Sequence, residues 1–263
     1  MNTSPEKTAA TIDKDELERK VKDMYREVAL NPKGEFHFEM GRDLAARLGY
    51  LPEDLDRIPN ESIESFAGVG YYFHLADLKE GDRVIDFGSG AGMDTFIAAL
   101  KVGEIGEVVG IDMTEEQLSK AEDLRKRAGI NNIKYLKGYL VDVPVEDGSF
   151  DVVISNGVVN LAPDKGKVFE EIARVLKPGG RMTISDIVTE TQLSESITCN
   201  TNLWAACIGG AMQVDNYRTV IEKSGMRVEK VEDNSQYQFI SKNAQGASKE
   251  YGVNSISLLA VKQ

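Results

Sequence analysis

Two acids end two successive apolar runs, and a glycine turn lies between them. The first run is Arg83-Val84-Ile85-Asp86-Phe87, followed by Gly88-Ser89-Gly90-Ala91-Gly92. The second is Val108-Val109-Gly110-Ile111-Asp112. A glycine turn between a buried strand and a helix lets the backbone approach a nucleotide-like ligand, and an acid at the next strand tip is placed for ribose hydroxyls. The glycines Gly88, Gly90 and Gly92 read G-x-G-x-G, one residue short of the dinucleotide spacing G-x-G-x-x-G. Asp86 stands where it would repel a pyrophosphate, whereas a cationic sulfonium bearing an ammonium group suits such a place. The expected cofactor is therefore S-adenosyl-L-methionine, with S-adenosyl-L-homocysteine as its product, rather than NAD. Ser89 belongs to the turn, and Gln117 opens the following helix with Thr114 as a capping box.

Methyl transfer needs an aligned nucleophile and an excluded solvent, plus a base where the nucleophile is not already ionised. The two histidines, His37 and His74, are candidate bases. Tyr72 and Asp186 join them as catalytic candidates. Each has a plainer reading as a packed, solvent-facing or orienting group. Tyr71-Tyr72-Phe73 is an aromatic run that would either fill core or wall an apolar substrate pocket. Trp204 and Cys207 lie in an apolar stretch, where Cys207 reads first as a small buried residue. No metal site is expected.

These residues need an alternating α/β frame. Strands are expected at Arg83 to Phe87, Glu107 to Asp112, Ile133 to Gly138, Phe150 to Asn156, Arg181 to Asp186, Arg227 to Asp233 and Ser255 to Val261. Helices fall between them at Met93 to Val102, Thr114 to Ala128, Lys165 to Leu176 and Tyr217 to Ser224. Lys177-Pro178-Gly179-Gly180 separates the third of these from its strand. Such alternation predicts a Rossmann-like, doubly wound, mostly parallel seven-stranded sheet. Upstream, Asp13 to Leu30 has helical spacing, and short helices are expected at Asp43 to Leu48 and Pro59 to Phe66. The expected organisation is a disordered tail over 1–12, an N-terminal helical cap over 13–77, and a cofactor domain over 78–263. Within that domain, 188–213 is a helical insertion, centred on Thr198 to Ala211, before the last helix and strands. Ligands of open α/β sheets lie beyond the carboxyl ends of the strands, where Asp86, Asp112 and Asn156 all fall.

Composition narrows the partners. With 43 acids against 31 bases the net charge is −12, which disfavours nucleic acid. Two cysteines make no disulfide framework and suit a reducing cytoplasm. No stretch is long and apolar enough to span a bilayer. A small-molecule substrate is expected, and the oligomeric state is not specified.

The order of motifs is similar to that of class I S-adenosylmethionine-dependent methyltransferases. The segments LKEGDRVIDFGSGAGMDTFIAALKVG, VVGIDMTEEQLSKA, ISNGVVNLAPDK, RVLKPGGRMTISD and LWAACIGGAM resemble arsenite methyltransferases in particular. The resemblance implies that Asp86, Gly88 and Gly90 hold the amino-acid part of the cofactor and Asp112 its ribose. It further implies that Met113 and Leu140 meet the adenine, that Asn156 lines the methionine side, and that Tyr25 lies near the cofactor. Arsenite methyltransferases bind arsenic through three thiolates, the natural ligands of a soft centre. The corresponding positions here are Val69, Gly157 and Cys207, so only the third keeps its thiol. Cys199 lies eight residues before Cys207, about 12 Å of rise in a continuous helix, too far to share one ion. Gly157, Asn160, Tyr71, Tyr72, Trp204 and Cys207 are the candidate substrate-pocket residues. The expected function is methyl transfer from S-adenosylmethionine to a small molecule. One alternative is an arsenite or soft-metalloid methyltransferase using Cys207 with Cys199 or external thiols. Another is a non-catalytic module that only binds the cofactor.

Overall fold

The computed structural model describes residues 13–198, 204 and 208–263 of the chain. The expected tail over 1–12, Cys199, Cys207 and most of the expected Thr198 to Ala211 helix lie outside the described residues.

Five parallel strands form the left and centre of one sheet. They are β1 (Arg83–Phe87), β2 (Glu107–Asp112), β3 (Ile133–Lys137), β4 (Phe150–Asn156) and β5 (Leu176–Thr189). A two-residue strand, β6 (Met212–Gln213), pairs with the end of β5. β7 (Met226–Asp233) and β8 (Asn254–Lys262) complete the sheet in the order β3-β2-β1-β4-β5-β8-β7. The five parallel strands need helical crossovers, whereas β8 joins β5 and β7 antiparallel. The seven expected strands thus form the main path, and β6 adds an eighth. Lys177 to Gly180 do not separate helix from strand. They bulge out of β5, whose partner register jumps from Phe150↔Leu176 to Val152↔Arg181.

Alternation along the strands explains the two-sided core. Val84, Val108, Val152 and Ile154 pack one face with α6 (Met93–Val102). Ile85, Val109 and Val153 pack the other with α8 (Lys165–Val175) and the helix Val214–Lys223. Successive side chains point to opposite faces, so both faces being covered makes the strands continuously apolar.

The N-terminal part does two jobs. α1 (Lys14–Leu30) starts on Asp13, whose carboxylate accepts from Asp15 N and Glu16 N at 3.1 and 3.0 Å. It runs along the carboxyl end of the sheet. By contrast α2 (Arg42–Leu48), α3 (Pro52–Leu55), α4 (Asn60–Glu64) and α5 (Phe73–Ala76) bury Leu44, Leu55, Ile63 and Phe73 against the α6 face. They are core as well as cap. The helix Lys242–Tyr251, absent from the expected elements, buries only the small Ala244 and Ala247, with Tyr251 beside them; Ser241 caps it by accepting from Ala244 N at 3.2 Å.

Candidate functional site

The parallel register aligns the strand tips. Asp86 pairs with Gly110 and Ile154, Asp112 with Lys137, and Asn156 with Ser185. Above these tips lies a cavity of about 380 Å³.

Its floor is the glycine turn. Gly88 N and Ser89 N both donate to Ile111 O, at 2.8 and 2.9 Å, which ties the turn to β2. Gly88 has φ +78°, and a Cβ there would meet Val158 Cγ1 at 2.6 Å. Gly90, φ +52°, meets nothing nearer than Gln117 Oε1 at 3.8 Å, so its missing side chain opens onto the cavity. Asp112 braces this arrangement: it accepts from Gly90 N at 3.0 Å and from Thr114 N at 2.8 Å. Burial raises the Asp112 carboxyl above its ordinary range, opposed by the N–H groups of Thr114 and Gly90. No Thr114 side-chain cap forms on α7 (Glu115–Ala128). The capping box read from Thr114 and Gln117 is therefore replaced: Asp112 holds Thr114 N, and Gln117 Nε2 donates to Tyr25 O at 2.9 Å.

That last bond helps seat α1 over the cavity, with Arg26 pairing Glu116 at 2.8 Å and Lys120 Nζ reaching Ala29 O at 3.1 Å. Leu17, Val21 and Tyr25 face inward.

Two further carboxylates line the floor. Asp86 is 2% exposed and accepts from Thr95 Oγ at 2.7 Å. Burial pushes its carboxyl well above the usual range, and the neighbouring Asp94 charge adds to that. Asp94 accepts from Tyr50 OH at 2.7 Å, Tyr72 OH at 2.8 Å and Asn156 Nδ2 at 3.0 Å. Burial raises it too, against the pull of those three donors. Neither Asp94 nor Tyr50 stood out in the sequence as a site residue. The available signal was an acid in the first turn of the helix leaving the glycine turn. Among the described residues no lysine, arginine or histidine ion-pairs with Asp86, Asp94 or Asp112.

The expected cofactor residues fall as follows. Tyr25, Asp86, Gly88, Ser89, Gly90, Asp112, Met113, Gln117, Leu140 and Asn156 line the cavity. Gly92 does not; it caps α6 at φ +91° with no room for a side chain against Tyr135. Ser89 Oγ and Gln117 Oε1 are buried there without a hydrogen-bond partner.

The acceptor-side candidates scatter. Tyr72 is fully buried and serves Asp94 rather than touching the cavity. His74 is exposed and bonds Glu232 Oε2 at 2.6 Å, its ring stacked on Tyr71. Neither His74 nor Tyr71 lines the cavity, because the run after Gly70 turns away into α5. His37 packs edge-on to Phe38, also outside the lining. Asp186 is buried under the sheet end, accepting from Tyr217 OH at 2.6 Å and Ile187 N at 2.9 Å. Asn160 is fully buried beside it, outside the lining. Trp204 lies beneath the Lys165 ammonium, 4.8 Å from ring centre to Nζ.

Val69 and Gly157, far apart in sequence, are neighbours. A Cβ on Gly157, φ +72°, would lie 3.1 Å from Val69 Cγ1. Asn156 holds them together: its Oδ1 accepts from Val69 N at 2.8 Å, and its Nδ2 donates to Gly70 O at 3.0 Å. Among the described residues no group of three or more His, Cys, Asp or Glu is placed to hold a metal ion. Among them, too, no helix is long and apolar enough to cross a membrane.

Comparison with known proteins fits this geometry. Residues 78–225 match a family profile described as a methyltransferase domain. An arsenite methyltransferase of Halobacterium salinarum is 38% identical over 196 residues, 74% of this chain and 50% of that protein. The arsenite methyltransferase of Mus musculus is 33% identical over 227 residues, 82% of this chain and 60% of that protein. The chain thus spans 50 to 60% of the length of these relatives. The crystal structure of an arsenic(III) S-adenosylmethionine methyltransferase from Chlamydomonas reinhardtii superposes with a TM-score of 0.64 at 29% identity, covering 86% of this chain and 75% of that one.

Proposed function

Because the chain belongs to the methyltransferase-domain family, the class I enzymes whose cofactor is S-adenosylmethionine, we propose that it methylates a small-molecule acceptor within the strand-tip cavity. The observation that carries this reading is Asp112, fixed at the tip of β2 by Gly90 N and Thr114 N and facing the cavity. The rest of the site fits the same guest. Ser89 Oγ and Gln117 Oε1 are buried polar atoms awaiting partners, and Gly90 leaves room where a side chain would intrude. Buried carboxylates without basic partners suit a ligand that brings its own positive charge.

When bound, S-adenosylmethionine supplies an electrophilic methyl group on a sulfonium. In this reading Asp112 would grip the ribose, while Met113 and Leu140 would flank the adenine. Asp86, Gly88 and Gly90 would hold the amino-acid end, and Asn156 would border the methionine side. Tyr25, with Leu17 and Val21 of α1, would exclude water. No base is assigned: His37, His74, Tyr72 and Asp186 all stand outside the lining, which suits an acceptor that arrives already nucleophilic. The net charge of −12 supports a small acceptor rather than nucleic acid, and the low cysteine usage supports a cytoplasmic location.

Arsenite is the second reading, favoured by the identity to arsenite methyltransferases. Against it, Val69 and Gly157 offer no thiolate at a place where the resemblance calls for two. The experiment is calorimetry with S-adenosylmethionine, followed by donor consumption with and without arsenite. Binding abolished by Asp112→Ala supports the donor site. Arsenite-dependent consumption lost in Cys207→Ser would establish the second reading instead.

A further inference from the structure

Of the three carboxylates on the cavity floor, Asp94 is the one with no role in the reading above. It is 6% exposed, yet it lines the cavity. Three donors keep it in one orientation: Tyr50 OH on Oδ1, and Tyr72 OH with Asn156 Nδ2 on Oδ2. Tyr50 and Tyr72 are themselves fully buried and rigid, and the aromatic contacts of Tyr50 with Phe66, at 5.1 Å, and with Tyr71, at 5.0 Å, fix its ring. A buried carboxylate with three neutral donors and no cation paired to it gains most from a ligand that brings positive charge.

Its position says which positive charge. Asp86 and Asp112 belong to the tips of β1 and β2. Asp94 instead reaches toward the tip of β4, through Asn156, the same side chain that binds Val69 N and Gly70 O. Asp94 therefore stands at the junction between the donor floor and the loop side of the lining, where Ala67, Gly68 and Asn156 face the cavity. In the donor reading Asn156 borders the methionine side, which puts its partner Asp94 on the sulfonium's side of the floor. The unpartnered Ser89 Oγ and Gln117 Oε1 point independently to a ligand over this floor.

We propose that Asp94 is a charge-selective positioning residue: its carboxylate favours the sulfonium of the methylated donor over the neutral thioether of the demethylated product. The proposal rests on the donor reading above and adds a residue to it. Tyr50 and Tyr72 serve by aiming the carboxylate and opposing the effect of its burial, and Asn156 couples it to Val69 N and Gly70 O.

The test is calorimetric affinity for S-adenosylmethionine and for S-adenosylhomocysteine, on the native chain and on Asp94→Asn. The two ligands differ by one methyl group and one charge. Asp94→Asn is expected to weaken the charged donor about tenfold or more, on the scale of a partly screened charge pair, while the product's affinity changes by less than about twofold. Equal losses for both ligands would mean that Asp94 only shapes the cavity, and no change in either would mean it does not face the sulfur; both results overturn the proposal. Asp112→Asn serves as the contrast, because a ribose contact must weaken both ligands alike. Should Asp94→Asn fail to fold, Tyr72→Phe carries the test: it removes one donor from the carboxylate, and the donor-to-product ratio must shrink. An unchanged ratio there overturns the proposal. A native chain that binds neither ligand sinks the donor reading itself, a distinct outcome from a native chain that binds both with Asp94 indifferent.

Discussion

The two walls of the cavity are made of opposite materials. On the strand-tip side, Asp86 and Asp94 are buried and Asp112 half-buried, all three carboxylates held by hydroxyl or amide donors, and none has a basic partner among the described residues. On the loop side, Leu17, Val21 and Leu161 line the cavity, and behind them Val69, Trp204 and Ile208 complete one apolar cluster in which Val69 also faces Gly157. The first wall is built to receive charge and the second to exclude water. A methyl donor with a fixed positive charge and an acceptor without a strong charge match that division. The similar proteins from Halobacterium salinarum and Mus musculus are arsenite methyltransferases by name.

The comparison breaks first at Asp112. Asp112→Ala removes two charge-assisted bonds, to Gly90 N and Thr114 N, worth about 1.5–3 kcal/mol each. In the donor reading the same carboxylate also holds the ribose hydroxyls, so the affinity for S-adenosylmethionine should fall about a hundredfold or more. Binding within a few-fold of native would show that the charged wall is not the donor wall.

Asn156 joins the two walls, so its loss should be felt in both. Asn156→Ala leaves Val69 N without its 2.8 Å acceptor and Asp94 with one donor fewer. Buried groups left unpaired cost about 1–3 kcal/mol each, and chemical denaturation should report about 2–3 kcal/mol of lost stability. Donor affinity should fall with it. A stable variant with unchanged affinity would separate the walls that this side chain connects.

At the loop wall the effects are smaller and more diagnostic. Gly157→Cys places a side chain at φ +72°, which costs about 1–2 kcal/mol, and pushes it to 3.1 Å from Val69 Cγ1. Adding Val69→Cys relieves that contact, so the double variant should be more stable than the sum of the singles. It also restores the thiols that the resemblance to arsenite methyltransferases calls for. Arsenite-stimulated donor consumption should then appear or rise in the double variant. Its absence would mean that the apolar wall differs from the relatives by more than two side chains.

The same division explains what could be read from the chain. The charged wall comes from short, continuous stretches: one strand, one turn and one more strand carry Asp86, Gly88, Gly90 and Asp112, and strand periodicity fixes where their side chains go. Strands β1, β2 and β4 and helix α6 begin and end where that periodicity says. The apolar side is assembled from residues 17–25, 66–69 and 158–161, with Trp204 and Ile208 packed behind them, and their meeting depends on loop paths that no local pattern encodes. Chemical type alone singles out His37 and His74, and neither reaches the cavity lining. Asp94 was overlooked because its role depends on Tyr50, forty-four positions away in sequence, and on Asn156 at the tip of β4. The helix Lys242–Tyr251 shows only a weak stripe of Ala244, Ala247 and Tyr251 around an internal glycine, and its most readable signal is the cap at Ser241.

The smallest expected effect lies behind the apolar wall. Lys165 is 5% exposed, donates to Ala162 O at 3.0 Å and stands over the ring of Trp204. Burial lowers its ammonium to about 8, with Asp186 and Asp164 opposing. Burial raises Asp186 to about 6, against the bonds from Tyr217 and Ile187 and the charge of Lys165. The signs are opposite. A lysine depressed from 10.5 gives stability that is present above that value and lost as the pH falls through about 8. A carboxyl raised from 3.8 gives stability that is present below that value and lost as the pH rises through about 6. Between about 6 and 8 both groups are charged and the pair contributes least. Lys165→Met should therefore melt higher relative to the native chain near neutrality than it does above pH 10, by about 1 kcal/mol after the lost cation–π contact is counted. Trp204 is the single tryptophan of the chain, so its emission reports the contact directly. The native emission should titrate with a midpoint about 8, and Lys165→Met should abolish the step. A step that survives in the variant would mean that Trp204 senses another group, and that the apolar wall is not anchored through this lysine.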